Sequence, residues 1–231
     1  MAKNPKKHEL RNRNTRLKLN LERVDRPRAM LPERHLFVTE GTKTEPTYLN
    51  GIVCKIVERF GNSAKQQFQI MGEGDNTLNL LMQAESYQQN DADGFEHIWI
   101  IYDKDDFPPD HFDNTVHRCQ ALNARFKKEG RNTQYHAIWS NECIELWFLL
   151  HFVYLDTQVN RGQYQKMLTE YLQRHYEKND ERLFDELFPY INNAVKRAKR
   201  LRKNYKENTP PSQQSPCTMF FEIVEELDKY L

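Results

Sequence analysis

The sequence predicts an α/β protein: a mostly parallel sheet with helices on both faces, followed by a helical carboxyl-terminal extension. Three observations lead there. Short apolar runs alternate with stretches of helical period between His35 and about Phe152, the pattern of strands joined by crossover helices. After Asp156 the strand signal fades and helical periods take over. Two of the apolar runs end in acid: Glu40 follows Leu36-Phe37-Val38, and Asp103-Lys104-Asp105-Asp106 follows Ile98-Trp99-Ile100-Ile101-Tyr102. In open α/β sheets the carboxyl ends of strands are where ligands sit.

Taken in order, residues 1–30 read as a basic arm, expected to be flexible, residues 31–156 as the α/β core and residues 157–231 as the helical extension. A strand from His35 through Thr39 gives way at Glu40 to a turn. Pro46 then suits the first turn of a helix carrying Leu49, Ile52, Val53, Ile56, Val57 and Phe60. Gln67 to Met71 reads as a strand, and Asp75 or Asn76 can cap a helix whose apolar face includes Leu78, Leu81 and Met82. Asp91 to Gly94 is a turn. Glu96 to Tyr102 is the central strand, followed by a helix with Phe112, Val116, Cys119, Leu122 and Phe126 on one side and Gly130 at its end. Gln134 to Trp139 is a further strand, and Ser140-Asn141 reads as the cap of a helix from Glu142 to about Phe152. Tyr164 to Tyr176, Asp180 to Arg202 and Met219 to Tyr230 read as helices, with a proline-rich loop over Thr209 to Pro216.

Composition narrows the class. The chain has 231 residues, 29% of them charged, and no apolar run near the roughly 20 residues of a membrane span; Met1 to Arg34 lacks the apolar core of a secretion signal, from which a cytoplasmic protein is expected. The four cysteines, Cys54, Cys119, Cys143 and Cys217, form no CxxC pair and read as reduced packing residues. A net charge of +1 hides an asymmetry: Met1 to Met30 holds ten Lys or Arg against three acids, +7, and the remainder sums to −6. Such an arm, with Arg11, Arg13 and Arg16, suits contact with phosphates through counterion release. Lys196, Arg197 and Arg200 lie in a second basic cluster, where Ala194, Ala198 and Leu201 mark one buried helical stripe.

If the two acid-ended strands are neighbours, Glu40, Asp103 and Asp105 converge. Carboxylates at close range repel one another unless protons or a hard cation neutralise them, which outlines a Mg²⁺ or Mn²⁺ site. Asp106 belongs to the same acidic turn. Glu45 has two readings, a further metal ligand or an acid favoured by the start of a helix. Glu145 stands alone in the apolar run Leu146-Trp147-Phe148-Leu149-Leu150, where an unpaired charge is costly, and is a candidate ligand or site wall. His151 on the same run reads as a hydrogen-bonded core histidine. Lys43 and Lys104 are candidate phosphate contacts. The chain has no GxxxxGK[ST] motif, so nucleotide hydrolysis would have to come from another protein.

Glu40-Gly41 at one strand end and Asp103-x-Asp105 at another resemble the Toprim arrangement of topoisomerases, DnaG-type primases and the overcoming-lysogenization-defect nucleases. Phe37 to Pro46, Tyr102 to Phe107, Ser140 to Phe152 and Pro216 to Met219 further resemble the RloB/AbiLii proteins, bacterial phage-resistance and restriction-locus components. The resemblance implies a Toprim-like fold and a metal-dependent nuclease of antiphage defence. It makes Glu40 the general acid or base and Asp103 and Asp105 the metal-binding aspartates. It leaves open DNA or RNA, tRNA included, as substrate, and one metal or two. It also implies a separately encoded ATPase partner and leaves room for a homo-oligomer. The competing expectation is a non-catalytic subunit that binds nucleic acid or another component of a defence complex.

Overall fold

A computed structural model describes residues 31–74, 77–104 and 109–231. The basic arm, the Asp75-Asn76 cap and the Asp105-Asp106 turn lie outside the described residues. Within Pro32–Leu231, one compact unit, five strands form a single sheet in the order β2-β1-β3-β4-β5. They are β1 His35–Thr39, β2 Phe68–Gly72, β3 His97–Asp103, β4 Gln134–Asn141 and β5 Cys217–Thr218. The first four run parallel, and β5 pairs antiparallel with the end of β4.

Burial on both faces explains why β1 and β3 are unbroken apolar runs rather than alternating ones. Phe37, Trp99, Ile101 and Ile138 point into a core shared with α1 (Thr44–Phe60), α5 (Glu145–Leu150) and α8 (Ile191–Arg202). Leu36, Val38, Ile98, Ile100 and Tyr102 point the other way, against α3 (Thr77–Asn90) and α4 (Pro109–Lys128). The short α2 (Asn62–Lys65) joins α1 to β2. Helix α1 ends at Gly61, whose φ of 84° is one that residues with a side chain adopt only under strain. The α/β class with a mostly parallel sheet, helices on both faces and further carboxyl-terminal helices is the one the sequence predicts.

Several local readings need correction. Ser140 and Asn141 do not cap a helix; they are the last residues of β4, held there by β5, with Ser140 Oγ 2.9 Å from Thr218 Oγ1. The helix expected from Glu142 to Phe152 is accordingly only the six residues of α5, all buried. The single helix expected over Asp180 to Arg202 is α7 (Leu183–Leu187), a 3₁₀ turn at Phe188–Tyr190 and then α8, because Pro189 supplies no N–H. Helix α6 (Arg161–Leu172) starts earlier than expected, at a reciprocal cap in which Gln163 N–H donates to Asn160 Oδ1 and Asn160 N–H to Gln163 Oε1. It stops at Gln173, in the left-handed region with φ 55°. The last helix, α9, covers Phe221–Leu227.

Met82 lies 52% exposed, and the core face of α3 is Leu80, Leu81 and Ala84. Cys54 sits exposed on the outer side of α1, so it is no packing residue, whereas Cys119, Cys143 and Cys217 are buried; all four are free thiols. His151 is a buried, satisfied histidine. Its Nδ1 lies 3.0 Å from Trp147 O and its Nε2 3.2 Å from Tyr48 Oη, and burial lowers its pKa to about 4.

Candidate metal and phosphate site

The ladder between β1 and β3 carries the backbone to the site. Glu40 N–H continues it by donating to Ile101 O at 2.9 Å, and Glu40 Oε2 in turn accepts the Asp103 N–H at 3.1 Å. Two parallel neighbours thus deliver their terminal acids to one edge of the sheet. Asp103 is buried, and its Oδ2 accepts the Ile144 N–H at 3.3 Å and Arg161 Nη2 at 3.4 Å. The chain leaves β1 through a tight turn closed by Thr39 Oγ1, which donates to Gly41 O at 2.6 Å.

Gly41 allows a close approach. A Cβ there would lie 2.0 Å from Glu45 Oε2, so the first turn of α1 presses the Glu45 carboxyl against bare backbone. Glu45 is 5% exposed, and its Oε2 is buried with no hydrogen-bond partner. Burial, and secondarily the charge of Glu145, push its pKa up to about 7, while Lys178 and Arg161 pull it down. Glu145 is also buried, and its Oε1 accepts Gln165 Nε2 at 3.3 Å and the Tyr176 hydroxyl at 3.4 Å. Burial first, then the nearby Glu145 and Asp103 charges, hold the Cys143 thiol well above its ordinary value, so it stays protonated and unreactive.

These groups line one cleft of about 240 Å³: Glu40, Asp103, Glu45 and Glu145 supply carboxyls, and Lys43, Arg161 and Lys178 supply cations. Of the candidates named from the sequence, the structure therefore gathers Glu40, Lys43, Glu45, Asp103 and Glu145. Lys104 does not line the cleft; its N–H donates to Ser140 O and Glu142 O. Asp105, Asp106, Arg11, Arg13 and Arg16 lie outside the described residues. Lys196, Arg197 and Arg200 lie on α8 away from the cleft lining, and Arg197 Nη1 donates to Leu150 O and His151 O at 2.8 Å, finishing the last turn of α5. Sequence reasoning missed Arg161 and Lys178. The Asn160-x-x-Gln163 cap signature could have placed Arg161 at a helix start, but nothing ties it to an aspartate 58 residues earlier.

Among the described residues, the one set of three ligating side chains whose atoms all lie within 4.8 Å of one another is elsewhere: Glu33, His97 and Glu226. There Lys229 already supplies positive charge, 2.7 Å from Glu226 Oε1 and 3.6 Å from Glu33 Oε2.

The raised Glu45 pKa makes a stability prediction. The folded state holds a proton that the unfolded chain releases near the ordinary carboxyl value, so Glu45 costs stability increasingly as pH rises from about 4.5 to about 7. Glu45→Gln removes that dependence. In metal-free urea melts its stability relative to the unsubstituted protein should therefore rise between pH 5 and pH 8; a gap constant with pH would contradict the assignment.

Neither a search of curated proteins nor one of solved structures finds a match to this chain. A family model described as RloB-like protein matches residues 35–227, from the first residue of β1 to the last of α9, and the chain belongs to that family.

Proposed function

We propose that the protein is a divalent-metal-dependent nuclease with a Toprim-like domain, a restriction-locus component acting in antiphage defence in the cytoplasm. The observation that carries this reading is the meeting of Glu40 and Asp103 at the carboxyl edge of adjacent parallel strands, in a cleft that also holds two further carboxyls and three cations. The donors fit Mg²⁺ or Mn²⁺. All are hard carboxylate oxygens, and one of them, on Glu45, is buried with no partner; Arg161, which pairs with Asp103, would have to share that carboxylate with the ion or turn to the phosphate. Asp103, Asp105 and Glu40 would hold the ion, with Glu45, Glu145 and Asp106 as further candidate ligands.

When bound, the metal supplies Lewis-acid stabilisation of charge developing on the phosphate. Glu40 would move a proton at the reacting oxygens, a role supported by the hold of the Asp103 N–H on its Oε2. Arg161, Lys178 and Lys43 would grip the nonbridging phosphate oxygens, and Arg161, with its fork of donors, can do so in a bidentate way. Lys104 remains a candidate contact to the strand beyond the cleft. Among the described residues no helix is long and apolar enough to cross a membrane. A separately encoded ATPase would serve as trigger or restraint.

The test is incubation of the full chain with Mn²⁺ or Mg²⁺ and plasmid, single-stranded DNA or total tRNA. The reading expects cleavage of at least one substrate, stopped by EDTA and by Asp103→Asn. Cleavage of none of them would favour a binding subunit instead, and breaks that persist in the variant would take Asp103 out of the ligand set.

The arm is expected to add affinity rather than chemistry, because residues 1–30 carry +7. Deleting them should weaken nucleic-acid binding at low salt and flatten the slope of log K against log salt by about 0.9 for each phosphate no longer neutralised. An unchanged slope, measured by fluorescence anisotropy, would leave the arm without that role.

A further inference from the structure

Helix α6 begins in the cleft with Arg161 and ends beside an exposed aromatic row. Tyr171 lies ten residues further along the same helix, about 15 Å away at the rise of an α-helix. It continues the buried stripe of Tyr164 and Leu168 beyond the core and is 43% exposed; Tyr190, just before α8, is 45% exposed. The half-buried Phe152 joins them. Its ring lies 5.5 Å from that of Tyr171, with the planes 3° apart, and 5.8 Å from that of Tyr190. Two residues after Phe152, the Tyr154 ring carries Arg200 of α8 4.1 Å over its face.

The helix that follows Tyr190 is basic. Helix α8 carries five Lys or Arg and no acid. Arg197 is engaged with backbone carbonyls and Lys199 with Glu225, whereas Lys196 and Arg200 are exposed and make no ion pair among the described residues. Exposed rings with uncompensated cations combine the two things a single strand offers a protein: unpaired base faces to stack and phosphates to neutralise. A duplex hides its base faces, and a protein partner would not by itself call for this excess of positive charge.

We infer that this surface binds single-stranded nucleic acid, with bases on Tyr171, Phe152 and Tyr190 and phosphates on Lys196 and Arg200. Helix α6 would hold the strand at a fixed distance from the cleft, a few nucleotides from the bond to be cut. That link to cutting rests on the nuclease reading, whereas the binding itself does not.

The experiment measures anisotropy of labelled oligothymidine, oligouridine and a blunt duplex of equal length, with the full chain in EDTA so that no cleavage is needed. Tyr171→Ala combined with Tyr190→Ala should weaken single-strand binding by about tenfold for each ring removed and leave duplex binding unchanged. Tyr171→Phe with Tyr190→Phe, which keeps both stacking faces, should bind as the unsubstituted chain does and guards against a mere folding defect. The thymidine and uridine arms decide between DNA and RNA. Equal single-strand affinity in the alanine pair, an equal loss on duplex, or a change only in sedimentation from dimer to monomer would overturn the proposal. Loss of single-strand binding in the pair, from a protein that cleaves nothing with any metal, would uphold this surface while defeating the nuclease reading.

Discussion

Asp103→Asn should reduce metal-dependent cleavage by more than about 100-fold, because changing residues that merely orient a metal ligand already costs roughly 10- to 100-fold. The fold should survive. The substitution removes one negative charge from a cleft that also holds Glu40, Glu45 and Glu145, which relieves repulsion, but it also weakens the pairing with Arg161. These opposed effects predict a small change in melting temperature without metal. Asparagine keeps an oxygen able to accept the Ile144 N–H, so the backbone beside α5 should stay in place. Cleavage rates compared at matched folded fractions check this, and an active Asp103→Asn would take Asp103 out of the ligand set.

Gly41→Ala should also slow cleavage, although it changes no charge. The added Cβ would lie 2.0 Å from Glu45 Oε2 and 2.8 Å from its Cδ, so the carboxyl must leave its buried seat. The colliding atoms are the tip of a flexible side chain bordering the cleft, so the shift should cost little stability, whereas misplacement of site groups by about 1 Å can cost about 100-fold in rate. A double variant isolates the collision from other causes. Adding Glu45→Ala to Gly41→Ala removes the colliding atoms, so the pair should match Glu45→Ala alone in both stability and activity. A clear further loss of stability or activity on adding Gly41→Ala to Glu45→Ala would mean that the added methyl meets something other than Glu45.

What the sequence disclosed and what it hid follow from where the information lies. Strands β1 and β3 were legible because burial on both faces writes them as uninterrupted apolar runs, and Glu40 and Asp103 stand out at their ends. Glu145 was legible as a lone acid in a buried run. The two-residue β5 was not, since so short a strand carries no period; missing it turned Ser140 and Asn141 from strand residues into an apparent cap. Arg161 and Lys178 were hidden for a related reason. Their side chains reach the cleft only because the helical segment folds back onto the sheet edge, and in sequence each looks like an ordinary solvated cation. Met82 misled because apolar residues at neighbouring positions of a helix point about 100° apart, and only Leu81 of that pair faces the core.

Whether the Glu40–Asp103 cleft binds a divalent metal can be tested without a substrate or a trigger, by Mn²⁺ titration of the metal-free chain followed by calorimetry and electron paramagnetic resonance. Binding by the unsubstituted protein that weakens at least about tenfold in Asp103→Asn, within the range seen for changes around a metal ligand, and is untouched by His97→Ala, is the predicted result. No Mn²⁺ binding, equal affinity in Asp103→Asn, or binding abolished instead by His97→Ala at the Glu33–His97–Glu226 cluster would contradict it.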